Sequence, residues 1–207
     1  MVDYPLVIKA HEFMSNSLPV YLTGLGEMWL CVSAKLFIFY GFFMLSLYLV
    51  RHAKAMAIAS TDKERELAPE GREHTAKLGA LFTSSFEQPD HVICSSALRT
   101  VQTYEVLKQT GLQCDSHVIE EGLYNASASY VWDIITRAET KSLLLIGHNP
   151  ALSIVLNRLV ADEIAPDLMH FPTATIAHIS FSHETFRDVT QSSQARLHQM
   201  VRGSNLT

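Results

Sequence analysis

Apolar and polar residues alternate in blocks along the chain after Met44, and these blocks predict strands and helices in turn. Three short apolar runs predict buried strands: 45–50, 91–96 and 142–147. The last run, SLLLIG, is typical of a central parallel strand that is buried on both faces. Between the strands, apolar residues recur at helical spacing, as at 78–82. The alternation predicts an α/β fold, a sandwich of helices around a largely parallel central sheet.

The first 43 residues differ from the rest of the chain. Residues 28–50 are almost continuously apolar and contain one charged residue, Lys35. A run of this length is typical of a membrane helix, but its last part, 45–50, is the first predicted strand. We therefore interpret 1–43 as an N-terminal appendage. The appendage is expected either to associate with a membrane, through 28–43, or to lie outside the native product.

The composition fits one globular domain and limits what the protein binds. With 48% hydrophobic residues in 207, the chain can form a sizeable core. We place this domain at 44–190 and a polar C-terminal tail at 191–207. The net charge of −5 gives no general basic surface for a nucleic acid. The three cysteines show no C-x-x-C spacing, which favours a reducing, cytoplasmic location over a disulfide framework or a zinc site.

Three polar motifs follow predicted strands. LVRHAK contains Arg51 and His52, CSSALRT contains Arg99, and LIGHNP contains His148. Because ligands of open α/β sheets bind at the carboxyl ends of strands, we expect these four side chains to converge. Guanidinium groups match phosphate oxygens, a neutral imidazole can attack phosphorus, and a second imidazole can stabilise the developing charge. The motifs together predict a phosphoryl-transfer site.

These motifs resemble the signature of the histidine phosphatase superfamily: Arg-His, a later arginine in S-x-x-x-R-x-x-x-T, and a late Gly-His. Over about residues 44–182 the chain is similar to the small phosphohistidine phosphatase (SixA-type) branch, in RHAKA, ELAPEG, SSALRTVQT, EEGLYNAS and LLLIGHNPAL. The resemblance implies a single-domain, three-layer sandwich of the phosphoglycerate mutase type. It also implies that His52 is transiently phosphorylated, that Arg51, Arg99 and His148 bind the phosphoryl group, and that no metal or other cofactor is needed.

The proton donor and the substrate are less closely defined by the sequence. Arg99 and His148 are separated by 48 residues, too few for the large inserted cap of bigger relatives. Glu121, in a predicted loop, is the nearest candidate acid, although Glu120 and Glu121 equally fit a solvated acidic pair. An open rim favours a phosphohistidine-bearing protein, such as a phosphorelay domain, as the partner. Membrane contact, through 28–43, is expected only if residues 1–43 belong to the native product.

Two other functions use the same residues. One is a phosphatase of small phosphomonoesters, which needs a well-placed carboxyl group because an alkoxide is a poor leaving group. The other is a binding module that retains the phosphate pocket but does no chemistry. Both histidines and both arginines are present, which favours an enzyme over the binding module.

Overall fold

The structure, a computed structural model, describes residues 44–160, 164, 169–193 and 195–207. The predicted appendage, 1–43, lies outside the described residues, and its apolar part lies there with it. Among the residues that are described, no helix is both long enough and apolar enough to cross a membrane.

The described chain forms strands and helices in alternation, as the apolar blocks predict. The strands are β1 (Leu45–Arg51), β2 (His91–Ser95), β3 (Ser116–Glu120), β4 (Ser142–Gly147), β5 (Thr175–Phe181) and β6 (Ala195–Arg202). The helices are α1 (Pro69–Ser84), α2 (Leu98–Thr110), α3 (Ala128–Arg137) and α4 (Ala151–Val160).

The strands form one sheet in the order β3-β2-β4-β1-β5-β6. Strands β3, β2, β4 and β1 run parallel, whereas β5 is antiparallel to both β1 and β6. Strand β1 lies between β4 and β5, so that Arg51 is paired with Gly147 on one side and Thr175 on the other. The end of β1 and the end of β4 therefore reach the same edge of the sheet.

The helices pack on both faces of the sheet and form an apolar core on each. Leu47 and Leu49 of β1 face one core with α3 and α4, represented by Ile135 and Leu156. Tyr48, from the same strand, faces the other core, where α1 and α2 pack. Alternate residues of β1 are thus buried on opposite faces, as a strand in the middle layer requires. The predicted three-layer α/β sandwich with a largely parallel sheet is confirmed.

The prediction that residues 191–207 form a polar tail outside the domain is wrong for most of these residues. Ala195–Arg202 form β6, which pairs with the whole of β5. Because β6 is an edge strand with several exposed positions, its sequence is more polar than that of the central strands. After β6, a Cβ on Gly203 would lie 2.2 Å from the carbonyl oxygen of His74 in α1. Only a glycine allows the chain end to contact the helix so closely.

Candidate active site

Arg51 and His52 lie where β1 ends, at the carboxyl edge of the parallel strands. The backbone N–H of His52 donates to the carbonyl of Gly147 at 3.2 Å, which extends the pairing of β1 with β4 by one residue. Arg51 donates from Nη1 to the carbonyl of Phe171 at 2.9 Å, while its Nε is buried without a hydrogen-bond partner. Burial lowers the pKa of Arg51. This guanidinium is held in place by the chain that leads into β5.

The His52 ring has one protonated and one unprotonated nitrogen. Its Nδ1 lies 2.8 Å from the carbonyl oxygen of Ala53, and its Nε2 lies 3.3 Å from Nε of Arg99. A carbonyl only accepts and an arginine only donates, so the proton is on Nδ1 and the lone pair is on Nε2. Burial, assisted by the charge of Arg99, lowers the pKa of His52 from 6.5 to about 4. The imidazole is therefore neutral and nucleophilic at neutral pH.

The backbone around His52 is fixed by two elements of the sequence motifs. Thr103 accepts a hydrogen bond from the backbone N–H of Ala53 at 3.2 Å and donates to the carbonyl of Arg99 at 2.7 Å. Gly71 lets α1 approach the carbonyl oxygen of Lys54, which would lie 2.2 Å from a Cβ at that position. The threonine of the S-x-x-x-R-x-x-x-T motif and the glycine of ELAPEG thus hold the segment that carries His52.

His148 follows β4 and meets His52 across the edge of the sheet. The centres of the two rings are 5.0 Å apart. Nε2 of His148 lies 2.8 Å from Oγ of Ser95, the buried last residue of β2, and its Nδ1 is buried without a hydrogen-bond partner. Burial, and then the neighbouring His52, lower the pKa of His148 from 6.5 to about 3. Both imidazoles are therefore neutral in the resting site.

Arg99 is the buried cation of the site, with 6% of its surface exposed. It is the second residue of α2, and its guanidinium extends past His52 to Asp62. Nη1 donates to the backbone carbonyl of Asp62 at 2.7 Å, and Nη2 donates to its Oδ2 at 3.0 Å. The hydroxyl of Tyr124 also donates to Oδ2, at 3.0 Å. Hydrogen bonds from Arg65 and Tyr124, with the charge of Arg99, lower the pKa of Asp62 to about 2.

The sequence pattern predicts four of these residues and not the others. Ser95 and Tyr124 stand inside quoted motifs, CSSALRT and EEGLYNAS, without an assigned role. Asp62 begins the short 3-10 helix Asp62–Glu64, where no apolar period or motif indicates it. Besides the local contact with Arg65, Asp62 contacts Arg99 and Tyr124, which are 37 and 62 positions away and are brought to it only by the fold.

Glu121, the candidate acid, lies in the short 3-10 turn Glu121–Leu123 that follows β3. Its Oε2 accepts hydrogen bonds from Nζ of Lys63 at 2.6 Å and from Oγ of Ser96 at 2.9 Å. The side chain is 75% exposed, and the hydrogen bond from Lys63 holds the pKa of the carboxyl below its usual value. The resting side chain is an ionised surface group; its role as an acid stays a prediction.

Cys94 directly precedes Ser95 and has no exposed surface. Its thiol contacts the backbone carbonyl of Ser95, and burial raises its pKa to about 12. The protonated thiol belongs to the apolar core on the Tyr48 face of the sheet. A nucleophilic role for this cysteine has no basis in the structure, because the reactive form of cysteine is the thiolate.

Comparison with known proteins places this arrangement in a family. The family model of the histidine phosphatase superfamily (branch 1) matches residues 47–128. The uncharacterized protein Rv1276c of Mycobacterium tuberculosis is 34% identical over 140 residues, which cover 62% of this chain and 84% of that protein. The chain belongs to the histidine phosphatase superfamily. His148 lies beyond the matched residues, and the sheet brings it to the other members of the site.

Solved structures of this superfamily share the fold. The chain is similar to a protein of Agrobacterium tumefaciens assigned as the phosphohistidine phosphatase SixA, with 26% identity and a TM-score of 0.62 over 76% of this chain and 97% of that one. It is also similar to the protein histidine phosphatase SixA complexed with tungstate, with 21% identity and a TM-score of 0.59 over 78% and 99% of the two chains. The predicted resemblance is confirmed, and family and site together support a phosphatase.

Proposed function

We propose that the protein hydrolyses phosphohistidine on other proteins through a covalent intermediate on His52. The observation that carries this proposal is the unprotonated Nε2 of His52, which accepts a hydrogen bond from Arg99 while the ring of His148 lies 5.0 Å from the His52 ring, centre to centre. A neutral imidazole with a fixed lone pair beside a buried cation suits nucleophilic attack on a phosphoryl group.

In the first step, the lone pair of His52 Nε2 forms a bond to phosphorus while the P–N bond of the substrate breaks. The electrons of that bond leave with the substrate imidazole, whose other ring nitrogen has already taken a proton from solvent, so that a neutral imidazole is released. Charge-assisted hydrogen bonds from Arg51 and Arg99 to the phosphoryl oxygens each contribute about 1.5–3 kcal/mol. The carbonyl of Ala53 keeps the proton on Nδ1 as Nε2 becomes bonded to phosphorus.

In the second step, a water oxygen forms a bond to phosphorus and the new P–N bond breaks. The electron pair returns to Nε2 of His52, orthophosphate is released, and the water proton passes to the products or to solvent. His148 and Arg99 stabilise the negative charge that develops on the phosphoryl oxygens in both transition states. His52 is then unphosphorylated again and can react with another substrate molecule.

The leaving group favours phosphohistidine over phosphate esters. An imidazole can be protonated before it leaves, whereas an alkoxide needs an acid in the site. Glu121, the candidate acid, is an ionised surface carboxylate paired with Lys63. The similarity to two proteins described as SixA phosphohistidine phosphatases adds support for a protein-borne phosphohistidine.

The architecture around the site is consistent with a protein substrate. The residues between Arg99 and His148 form the rest of α2, then β3, a short turn, α3 and β4. All of this segment is described, and it adds no cap over the carboxyl edge of the sheet. A histidine on the surface of a folded partner, such as a phosphorelay domain, can therefore approach His52.

Rapid-quench labelling tests the proposal. The protein is mixed with a ³²P-phosphohistidine phosphorelay domain, quenched in alkali and mapped for acid-labile label. We expect label on His52, none in His52→Ala, and normal labelling in the matched control His117→Ala, which changes an exposed strand residue. Turnover without label on His52 would exclude the covalent mechanism. A higher kcat/KM for a phosphomonoester would instead indicate an esterase, and phosphate binding without turnover a binding module.

A further inference from the structure

We propose that Asp62 is a positioning residue, which holds the outer edge of the Arg99 guanidinium so that its inner edge faces Nε2 of His52. The proposal rests on the phosphatase reaction proposed above and concerns the same site. It assigns a function to a residue that begins a short 3-10 helix and has no place in the sequence motifs.

The geometry of the guanidinium defines the two edges. The group is planar and carries five N–H donors in a fixed arrangement. Asp62 accepts from both terminal nitrogens, through its backbone carbonyl at 2.7 Å and its Oδ2 at 3.0 Å. The opposite edge carries the N–H of Nε, which faces His52 at 3.3 Å, and the second N–H of Nη2. Asp62 therefore orients the donors of Arg99 without occupying the edge that a phosphoryl group would meet.

The carboxylate of Asp62 is itself held from two further directions. Arg65 donates to Oδ1 at 3.1 Å, and the hydroxyl of Tyr124 donates to Oδ2 at 3.0 Å. The ring of Tyr124 also lies 5.9 Å from the guanidinium carbon of Arg99 and meets the ring of His148 edge-on. These hydrogen bonds fix the orientation of the Asp62 carboxylate, and the carboxylate in turn fixes the orientation of Arg99.

Charge gives a second reason for this pairing. A buried guanidinium without a counter-charge is unstable, and Arg99 is almost fully buried. The ionised carboxylate of Asp62, whose pKa is about 2, supplies that charge while no phosphoryl group is bound. Since it has no proton to give at neutral pH, Asp62 is not placed to act as a general acid.

The test compares Asp62→Asn, Asp62→Glu and Asp62→Ala with wild type, using Glu64→Gln as the matched control. Glu64 is an exposed acid in the same short helix as Asp62. The measurements are kcat and KM with a phosphohistidine protein and with p-nitrophenyl phosphate, and the Kd of orthophosphate by calorimetry. We expect Asp62→Asn to lower kcat about 10-fold and Asp62→Ala about 10²-fold with both substrates. Asp62→Glu should retain more activity than Asp62→Asn, and Glu64→Gln should match wild type.

Two readouts separate positioning from a merely structural role. The Kd of orthophosphate should stay within about threefold of wild type in Asp62→Asn, because a mis-aimed Arg99 still attracts an anion. In the double variant Asp62→Ala/Arg99→Ala, the loss should equal that of Arg99→Ala alone, because Asp62 acts through Arg99.

Four results would overturn the proposal: unchanged kcat in Asp62→Ala, additive losses in the double variant, orthophosphate binding weakened as much as kcat, or a loss confined to the ester. The last result would make Asp62 an acid for the leaving group. If wild type hydrolyses only p-nitrophenyl phosphate, the phosphohistidine assignment fails, while the ester kinetics, the double variant and orthophosphate binding still decide the role of Asp62.

Discussion

Arg99 donates a hydrogen bond from Nε to Nε2 of His52, the atom assigned as the nucleophile, over 3.3 Å. The lone pair that we propose attacks phosphorus is thus already directed at a cation before substrate binds. When Nε2 forms its bond to phosphorus, the same N–H can turn to a phosphoryl oxygen. The cation that lowers the basicity of the nucleophile in the resting site can in this way stabilise the transition state.

The pH dependence of catalysis follows from this environment. Burial lowers the pKa of His52 to about 4 and that of His148 to about 3, so both are neutral well below the ordinary histidine value of 6.5. Plotted against pH for a substrate whose own ionisation is corrected for, kcat/KM should stay level from about pH 8 to about pH 5 and fall only near pH 4. An acidic limb centred near 6.5 would show that His52 is not buried as described.

Stability should change over a related range of pH. In the unfolded chain both histidines take up protons near pH 6.5, whereas in the folded protein they do so only near pH 4 and pH 3. The unfolded state therefore binds more protons below pH 6.5, and the free energy of unfolding decreases as the pH falls from 6.5 towards 4. Thermal melts of wild type and His148→Gln measure this: the decrease should be smaller in the variant.

Ser95→Ala should slow catalysis, because the hydroxyl of Ser95 is the hydrogen-bond partner of Nε2 of His148. Without it, the ring loses the contact that sets its orientation and its protonated nitrogen. We expect a 10- to 100-fold lower kcat, about the effect of losing a supporting hydrogen bond in other sites. The matched control is Ser96→Ala, which removes a hydroxyl bonded to Glu121 at the surface. Equal losses in the two variants would contradict the role given to Ser95.

Glu121→Gln should leave the hydrolysis of phosphohistidine within about twofold of wild type, because the substrate imidazole does not need an acid of the enzyme. The carboxylate is held ionised by Lys63, so its charge is the property that the substitution removes. Steady-state kinetics with a phosphohistidine protein and a panel of phosphomonoesters measure the effect. A strong preference for one ester that disappears in Glu121→Gln would make Glu121 the general acid of a metabolite phosphatase.

Removal of residues 1–43 should not affect folding or activity, whereas removal of residues 195–207 should reduce stability. A chain that starts at Met44 retains every described strand and helix, so we expect it to fold and to keep full activity. A chain that ends at residue 194 lacks β6 and leaves the second edge of β5 unpaired, so we expect a large loss of stability. Thermal melts and kcat of the two shortened proteins give the comparison. Misfolding of the first would show that residues before Met44 belong to the core.

The convergence of Arg51, His52, Arg99 and His148 could be predicted because it follows from a general property of the fold. Each residue lies at the end of a parallel strand or within four residues after it, and parallel strands end at the same edge of a sheet. The contacts of Asp62 with Arg99 and Tyr124 could not be predicted, since they join a short 3-10 helix to two elements that are distant in the sequence. Local sequence patterns hold no information on such pairs.

Strand β6 shows a second limit of prediction from pattern. Central strands are recognised by their unbroken apolar runs, such as SLLLIG, because both of their faces are buried. The edge strand β6, ARLHQMVR, has several exposed residues and a bulge in its pairing with β5. The alternation of apolar and polar residues in β6 is accordingly weak. Its sequence therefore predicts a polar tail, although these residues form a strand of the sheet.

The buried thiol of Cys94 has a consequence for how the protein responds to oxidants. Peroxides react with exposed thiolates, and Cys94 is neither exposed nor ionised near neutral pH, since its pKa is about 12. The nucleophile assigned to the site is an imidazole, which does not follow the oxidation steps of cysteine. Catalysis on His52 should therefore continue under oxidative stress that inactivates phosphatases whose nucleophile is a thiolate.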